Sequence, residues 1–310
     1  MLQHHSIIVE EQTPETQRRI DKLVRAATGL SVRQAQGLFD HGGVQLNGAV
    51  CREPWKWLSV GDRIDVERDP DERYKQQPKA RKYSGFELVF EDEHLLVVNK
   101  QAGVLTVPTD AGERHTLVHH VSDYLARGKQ RRPQVWIVHR LDRGVSGLLV
   151  IAKRPEVATA LREQWAERKP LRKYLAIVAG HLEQDAGTFQ SYLTTDEALT
   201  RHSTDDEAAG ELAITHYRTV AREQDVTLVE IQLETGRRNQ IRVHFAEAGH
   251  PILGDQRYGK QRSRHAQWDS PWLALAAVEL GFTHPVTEAC HTFKIALPPA
   301  MKAFLARAAQ

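Results

Sequence analysis

The sequence predicts an α+β chain: a large domain on a mixed, mainly antiparallel sheet with flanking helices, preceded by a small α/β unit. Three observations carry this. Many short, β-branched runs follow one another with few helical stretches between them, which favours pairing between neighbouring strands. An Asn-Gly pair stands between two strand-like pieces in VQLNGAV, a strong hairpin signal. The charged, proline-containing stretch DPDERYKQQPKARKY, Asp69 to Tyr83, reads as a linker between two folded parts. At 310 residues the chain is long enough for both.

Residues 1–16 read as a flexible lead-in, and residues 17–70 as a compact unit. Arg19, Ile20, Leu23 and Val24 begin an amphipathic helix that Gly29 can end. Ser31 suits the N-cap of SVRQAQGLFDHG, with Gln34 completing a capping box. The hairpin and the short strand GDRIDVE close the unit. After the linker at 71–83, the large domain spans 84–310. Phe86–Glu91 and Leu95–Asn99 read as strands and Leu117–Ala126 as a helix. Pro155 suits a first helical position for EVATALREQWAER. Tyr174–Val178, Ala213–Val220 and Val226–Leu233 follow as strands. RRNQIRVHFAEAG reads as a helix that Gly249 ends, HPILGDQRYG as a turn-rich loop. Leu273–Leu280, Phe282–His284 and Thr292–Ala296 supply the last strands.

Composition is that of a globular protein, 41% hydrophobic and 26% charged. No run approaches the ~18 apolar residues of a membrane span, and the N-terminus lacks the order of a signal peptide. Two distant cysteines, Cys51 and Cys290, form no CxxC pair, which fits a reduced cytoplasm. Net charge is only +2, but it is segregated. Arg127 to Lys173 holds thirteen Lys or Arg against four acids, and Glu183 to Glu211 one Arg against eight. A basic stretch of this kind suits a polyanion.

That basic stretch contains VWIVHRLDRGVSGLLVIAK, Val135 to Lys153. Two apolar runs bracket a turn in which one carboxylate, Asp142, stands between Arg140 and Arg143. A guanidinium within about 4–6 Å would keep such an acid ionised. An acid held ready beside a bound polyanion points to chemistry on that polyanion.

Two resemblances follow from longer blocks. RIDKLVRAATGLSVRQAQGLFDHGGVQLNGAV, with Arg19, Lys22 and Arg33 among its basic residues, resembles the ribosomal S-four-type RNA-binding module. HRLDRGVSGLLVIAK, RKYLAIVAG, LETGRRNQIRVHFAEAGHPILGDQRYG and GFTHPVT resemble, in order, the blocks of the RluA family of RNA pseudouridine synthases. Together they cover nearly the whole chain from Gln17 onward. The resemblance implies isomerisation of uridine to pseudouridine in structured RNA, ribosomal or else transfer RNA. The N1–C1′ bond breaks, the base turns, and C5 joins C1′, with one ionised carboxylate and neither metal nor redox or nucleotide cofactor. The target base must be flipped out of its stack. Asp142 is then the catalytic carboxylate, Tyr174 the tyrosine that stacks on the base, and Arg237 the cation that pairs with Asp142. Arg140 fills the vacated space and meets a phosphate; Arg143, Arg238 and Arg242 contact RNA.

The chain departs from the family pattern at Val145, Asn239 and Ala276, where Thr, His and His are usual. Val145 lacks a hydroxyl that could brace the catalytic loop. An inactive RNA-binding protein on the same scaffold is the alternative, which an Asn or Ala in place of Asp142 would have favoured. A metal-dependent hydrolase finds no ligand spacing such as HExxH among the sixteen histidines. Nothing in the sequence demands more than a monomer or a membrane.

Overall fold

A computed structural model describes residues 2–14, 17–51, 53–70, 82–83, 85–126 and 133–309, the side chains of Arg33, Lys82 and Tyr83 excepted. The chain divides into two compact units, Met1–Lys79 and Ala80–Gln310. The linker expected at 71–83 lies outside the described residues, except for the two-residue strand noted below.

The small unit consists of β1 (Gln3–Ile8), α1 (Ile20–Thr28), α2 (Val32–Asp40), β2 (Val44–Leu46), β3 (Ala49–Val50) and β4 (Arg63–Arg68). Helix α1 ends at Gly29 in the left-handed region, and Ser31 and Gln34 form the expected reciprocal capping box on α2. Asn47 and Gly48 have φ of 51° and 81°, as a two-residue hairpin turn requires. Ile20, Val24, Leu38, Phe39, Val44 and Ile64 form the core. Residues 3–8 differ from the expectation of a flexible lead-in. They pair antiparallel with the whole of β4, from Gln3 opposite Arg68 to Ile8 opposite Arg63. The backbone ladder holds this edge strand, since QHHSII has little apolar surface to bury.

The large unit contains β5 (Lys82–Tyr83), β6 (Phe86–Glu91), β7 (Leu95–Lys100), α3 (Leu117–Leu125), β8 (Trp136–Ile137), β9 (Ser146–Ala152) and α4 (Pro155–Ala166). It continues with β10 (Leu171–Ala179), β11 (Ala186–Thr195), β12 (Arg201–Thr204), β13 (Glu211–Glu223), β14 (Val226–Leu233), α5 (Gln240–Glu247), β15 (Leu275–Thr283), β16 (Cys290–Lys294) and α6 (Pro299–Ala308). One twelve-stranded sheet runs β12-β11-β13-β14-β10-β15-β9-β7-β6-β5, with β16 beside β15 and β8 beside β9. Strands β9 and β15 pair parallel; the other registers are antiparallel. The α+β class with a mixed, mainly antiparallel sheet is therefore observed.

Period-two alternation gives the sheet a core on each face. Leu149 and Ile151 of β9, with Leu96 and Val98 of β7, join the larger cluster, which includes Tyr174 and Phe245. Leu148 and Val150, with Leu95 and Val97, join a second cluster that takes in Val157 and Leu161 of α4. Each such Leu or Val contributes about 1.5–3 kcal/mol by burial. The rigid β7–β9 centre therefore carries the loops at its ends. Gly147 fixes where β9 meets β15: its φ is 124°, and a Cβ there would lie 2.3 Å from the Ala277 carbonyl oxygen.

Candidate active site

The His139–Gly144 turn emerges between β8 and β9, as its bracketing apolar runs require. It is fastened from behind by the chain leaving β7. The Thr106 hydroxyl donates to the Leu141 carbonyl at 2.8 Å and accepts from the Leu141 N–H at 3.2 Å. The Gly103 N–H donates to the Arg143 carbonyl at 2.7 Å, and Arg143 Nε returns a bond to the Gly103 carbonyl at 3.0 Å. Val145 is buried in the core, and the hydroxyl that braces the turn is that of Thr106.

Asp142 projects from this turn into a cleft of about 990 Å³. Its partner differs from both expectations. Arg242 Nη1 donates to Asp142 Oδ2 at 3.1 Å, and the same guanidinium grips Asp255 through Nε at 2.7 Å and Nη2 at 2.9 Å. Arg237 turns away, donating to the Leu212 carbonyl and to Glu211, each at 3.0 Å. The reason is local. Arg237 precedes α5 and lies against β13, whereas Asn239 takes a left-handed conformation (φ 58°) and starts the helix. Arg242 then falls on the turn beneath Asp142. All three of its nitrogens are engaged, Nη1 also reaching Asn239 Oδ1 at 3.1 Å, so four of its five N–H groups are spent inside the protein. Arg140 and Arg143 do not pair with Asp142 either: Arg140 is exposed, and Arg143 bonds Gly103 and lies over Trp272.

Asp255, buried to 1% exposure, also accepts from the Arg257 and Tyr258 amides. Tyr258 packs on the Arg242 guanidinium and receives a bond from Asn239 Nδ2 at 2.9 Å. Asn239 thus does polar work without a charge. Burial disfavours the Arg242 cation, but the bonds and charge of Asp255, then Asp142, outweigh it and raise its pKa. The guanidinium is permanently charged and carboxylate-aligned.

A second cation stands behind the turn. Lys100 is fully buried and donates to the carbonyls of Gln101 and Val104 at 3.0 and 2.7 Å, and at 3.4 Å to that of Arg143. Burial pushes its pKa down to about 7, against the pull of Asp142. Tyr174 of β10 lines the cleft beside Asp142 and is 8% exposed. Burial raises its phenol pKa, Arg172 opposing and Asp142 adding; the phenol is neutral. His139 stacks on Trp165 at 4.8 Å and accepts the Val150 N–H. Burial, then Arg172, takes its pKa down to about 3, so it packs as a neutral ring.

Asp142, Tyr174, Arg140, Arg143, Arg237, Arg238 and Arg242 all line this one cleft. Arg172 and Arg257 line it too and were not anticipated, nor were Thr106, Lys100 and Asp255. For Asp255 the signal was available, as the acid within GHPILGDQRYG. Arg19 and Lys22 belong to the small unit, where Arg19 forms a two-pronged pair with Asp21; the Arg33 side chain lies outside the described residues. The arrangement offers an arginine-held carboxylate, a flat aromatic wall and a basic rim, suited to a nucleotide within a polyanion.

Comparisons with known proteins agree. The family model described as RNA pseudouridylate synthase matches residues 94–247. Ribosomal large subunit pseudouridine synthase D of Zymomonas mobilis is 35% identical over 302 residues, covering 92% of each chain. The RNA pseudouridine synthase YlyB of Bacillus subtilis is 35% identical over 297 residues, 94% of this chain and 93% of that protein. In structure, human RNA pseudouridylate synthase domain containing 4 superposes with a TM-score of 0.60 at 22% identity, covering 71% of this chain and 92% of its own.

Proposed function

Because the chain belongs to the RluA-type RNA pseudouridine synthases and so isomerises uridine in RNA, we propose that Asp142 is its catalytic carboxylate and ribosomal RNA its substrate. One observation carries the reading. Asp142 is the carboxylate of a basic cleft that is joined to a carboxylate-locked arginine, so it is aimed before RNA arrives. Such a group can act as nucleophile at the nucleoside without further activation.

Tyr174 stacks on the flipped base, a contact worth about 1–3 kcal/mol that tolerates any base. Arg140, exposed at the rim, fills the space the base leaves and meets its phosphate, where a planar fork serves better than an ammonium. Arg143, Arg237 and Arg238 hold flanking phosphates. The small unit resembles the S-four-type module and adds RNA contacts through Arg19, Lys22 and Arg33. Ribosomal RNA is favoured over transfer RNA because relatives from Zymomonas mobilis, Nitrosomonas europaea and Pasteurella multocida carry a ribosomal large subunit name.

The test is pseudouridine mapping on total RNA from cells with and without the gene. Uridines of ribosomal RNA that lose their signal, and regain it with the wild-type gene but not with Asp142→Asn, are the expected result. Loss confined to transfer RNA would overturn the substrate, and an unchanged map would leave an RNA-binding protein without catalysis.

A further inference from the structure

Arg172 stands two residues before Tyr174 on β10, and burial alternates so that both are covered and both line the cleft. It is 7% exposed, yet no carboxylate among the described residues pairs with it. Nη2 donates to the Glu234 carbonyl at 2.9 Å and, more weakly, to that of Leu233 at 3.4 Å. Nε is buried without a partner. Nη1 makes no hydrogen bond either and, unlike Nε, keeps an open side. Gly236 leaves room for it: a Cβ there would lie 2.5 Å from Nη1. A buried guanidinium satisfied at one nitrogen is costly to keep. One that lines a substrate cleft is compensated when a ligand brings an acceptor.

We propose that Arg172 is a uracil-reading residue, whose guanidinium takes a carbonyl oxygen of the extruded base while Tyr174 stacks on its face. The proposal deepens the uridine-isomerising reading above and rests on it. Phosphates have the exposed arginines at the rim, Arg140 and Arg238. Arg172 is instead tied to the Leu233 and Glu234 carbonyls and shares the cleft wall with Tyr174, whose phenol feels its charge. Arginine only donates, and uracil presents two carbonyl acceptors. Cytosine carries an amino donor in place of one of them, so a fixed guanidinium at that edge would leave donors unpaired and reject it.

Arg172→Met and Gly236→Ala test this together. The glycine variant meets only the far end of a flexible side chain, so it displaces the guanidinium in a folded protein. Purified proteins convert RNA from cells lacking the gene, and then short RNAs holding the target uridine as uridine, 2-thiouridine or 4-thiouridine. Both variants should lose about 10- to 100-fold in kcat/KM, the range of a hydrogen bond to a charged group, with the salt dependence of RNA binding unchanged. One thio-substitution should slow the wild type and leave the variants no slower, because the contact is already gone. Unchanged kcat/KM overturns the proposal. So does a salt slope reduced by about 0.7–0.9, which marks a phosphate contact, or a lowered Tm with normal turnover, which marks packing alone. Wild-type protein that converts no uridine refutes the underlying reading and this proposal with it.

Discussion

Two arginines in this molecule hold a carboxylate with the same two-pronged geometry and serve different ends. In the small unit, Arg19 Nε and Nη2 reach Asp21 at 2.6 and 2.8 Å, two residues along the chain. In the large unit, Arg242 Nε and Nη2 reach Asp255 at 2.7 and 2.9 Å, thirteen residues along. The Arg19 side chain is half-exposed, so water screens the pair and salt weakens it more than at Arg242. Arg242 is largely buried, and its remaining nitrogen is spent on Asp142, one hundred residues away in sequence. Identical forks therefore give a surface charge in one unit and a fixed electrostatic support in the other. Burial, not geometry, makes the difference.

The comparison breaks most visibly at the carboxylate that Arg242 supports. Asp142→Asn should lower uridine turnover by roughly 10³-fold or more while RNA affinity, measured by titration, stays within a few-fold. A mutant that still turns over uridine would remove Asp142 from the chemistry. Next in size is Arg242→Met, which strands Asp255 without its cation. Loss of a buried pair's partner costs about 3–5 kcal/mol, and urea denaturation should register it together with lost activity. Arg242→Lys keeps the charge but cannot grip Asp255 and Asp142 at once, so it should recover stability before activity.

A third experiment uses pH. His244 is buried and His139 is packed under Trp165 in the cleft wall, and desolvation holds their pKa values at about 4 and about 3. In the unfolded chain both titrate near 6.5. Below that value the unfolded state binds more protons, so stability is full above about pH 6.5 and falls as pH drops toward 4. Each histidine contributes a slope of about 1.4 kcal/mol per pH unit. Denaturation midpoints between pH 7 and 4.5 should follow it. Stability independent of pH in that window would contradict neutral burial. The smallest effect belongs to Arg19→Ala. Urea midpoints should fall much less than for Arg242→Met, since Arg19 is half-exposed and water reaches the pair, and RNA affinity should weaken a few-fold with a shallower salt slope. Deleting residues 1–70 should enlarge both changes in RNA binding; unaltered affinity and slope would show that the small unit is not an RNA contact.

The α+β class and the family were legible because they rest on long blocks and on local signals such as the Ser31–Gln34 capping box, the Asn47-Gly48 turn and Pro155. Position Asp142 was legible for the same reason. Its partner was not, because ion pairing is a through-space property. Arg140 and Arg143 are adjacent in sequence, yet the turn sends them elsewhere, and a two-position offset decides between Arg237 and the helix that carries Arg242. Strands β11 and β12 escaped notice because their acidic surroundings and half-exposed alternation, as in AGTFQSYLTT, lack an apolar run. Helix α6 followed two prolines and was passed over, while β15 continues through Gly281, where a break was expected. Lys100 lies in none of the blocks, and Arg172 opens RKYLAIVAG without standing out there; only burial distinguishes them from ordinary surface cations.

The distance along the chain between Asp142 and Arg242 also has a temporal side. A ribosome adds about 5–20 residues per second, so the acid leaves the ribosome several seconds before the cation that aims it. Until α5 and the Asp255 loop have been made, Asp142 has no aligned partner, and the cleft wall contributed by Arg237 to Arg257 does not exist. Catalytic competence is thus among the last properties a growing chain acquires, and recovery of uridine turnover during refolding would report completion of the large unit.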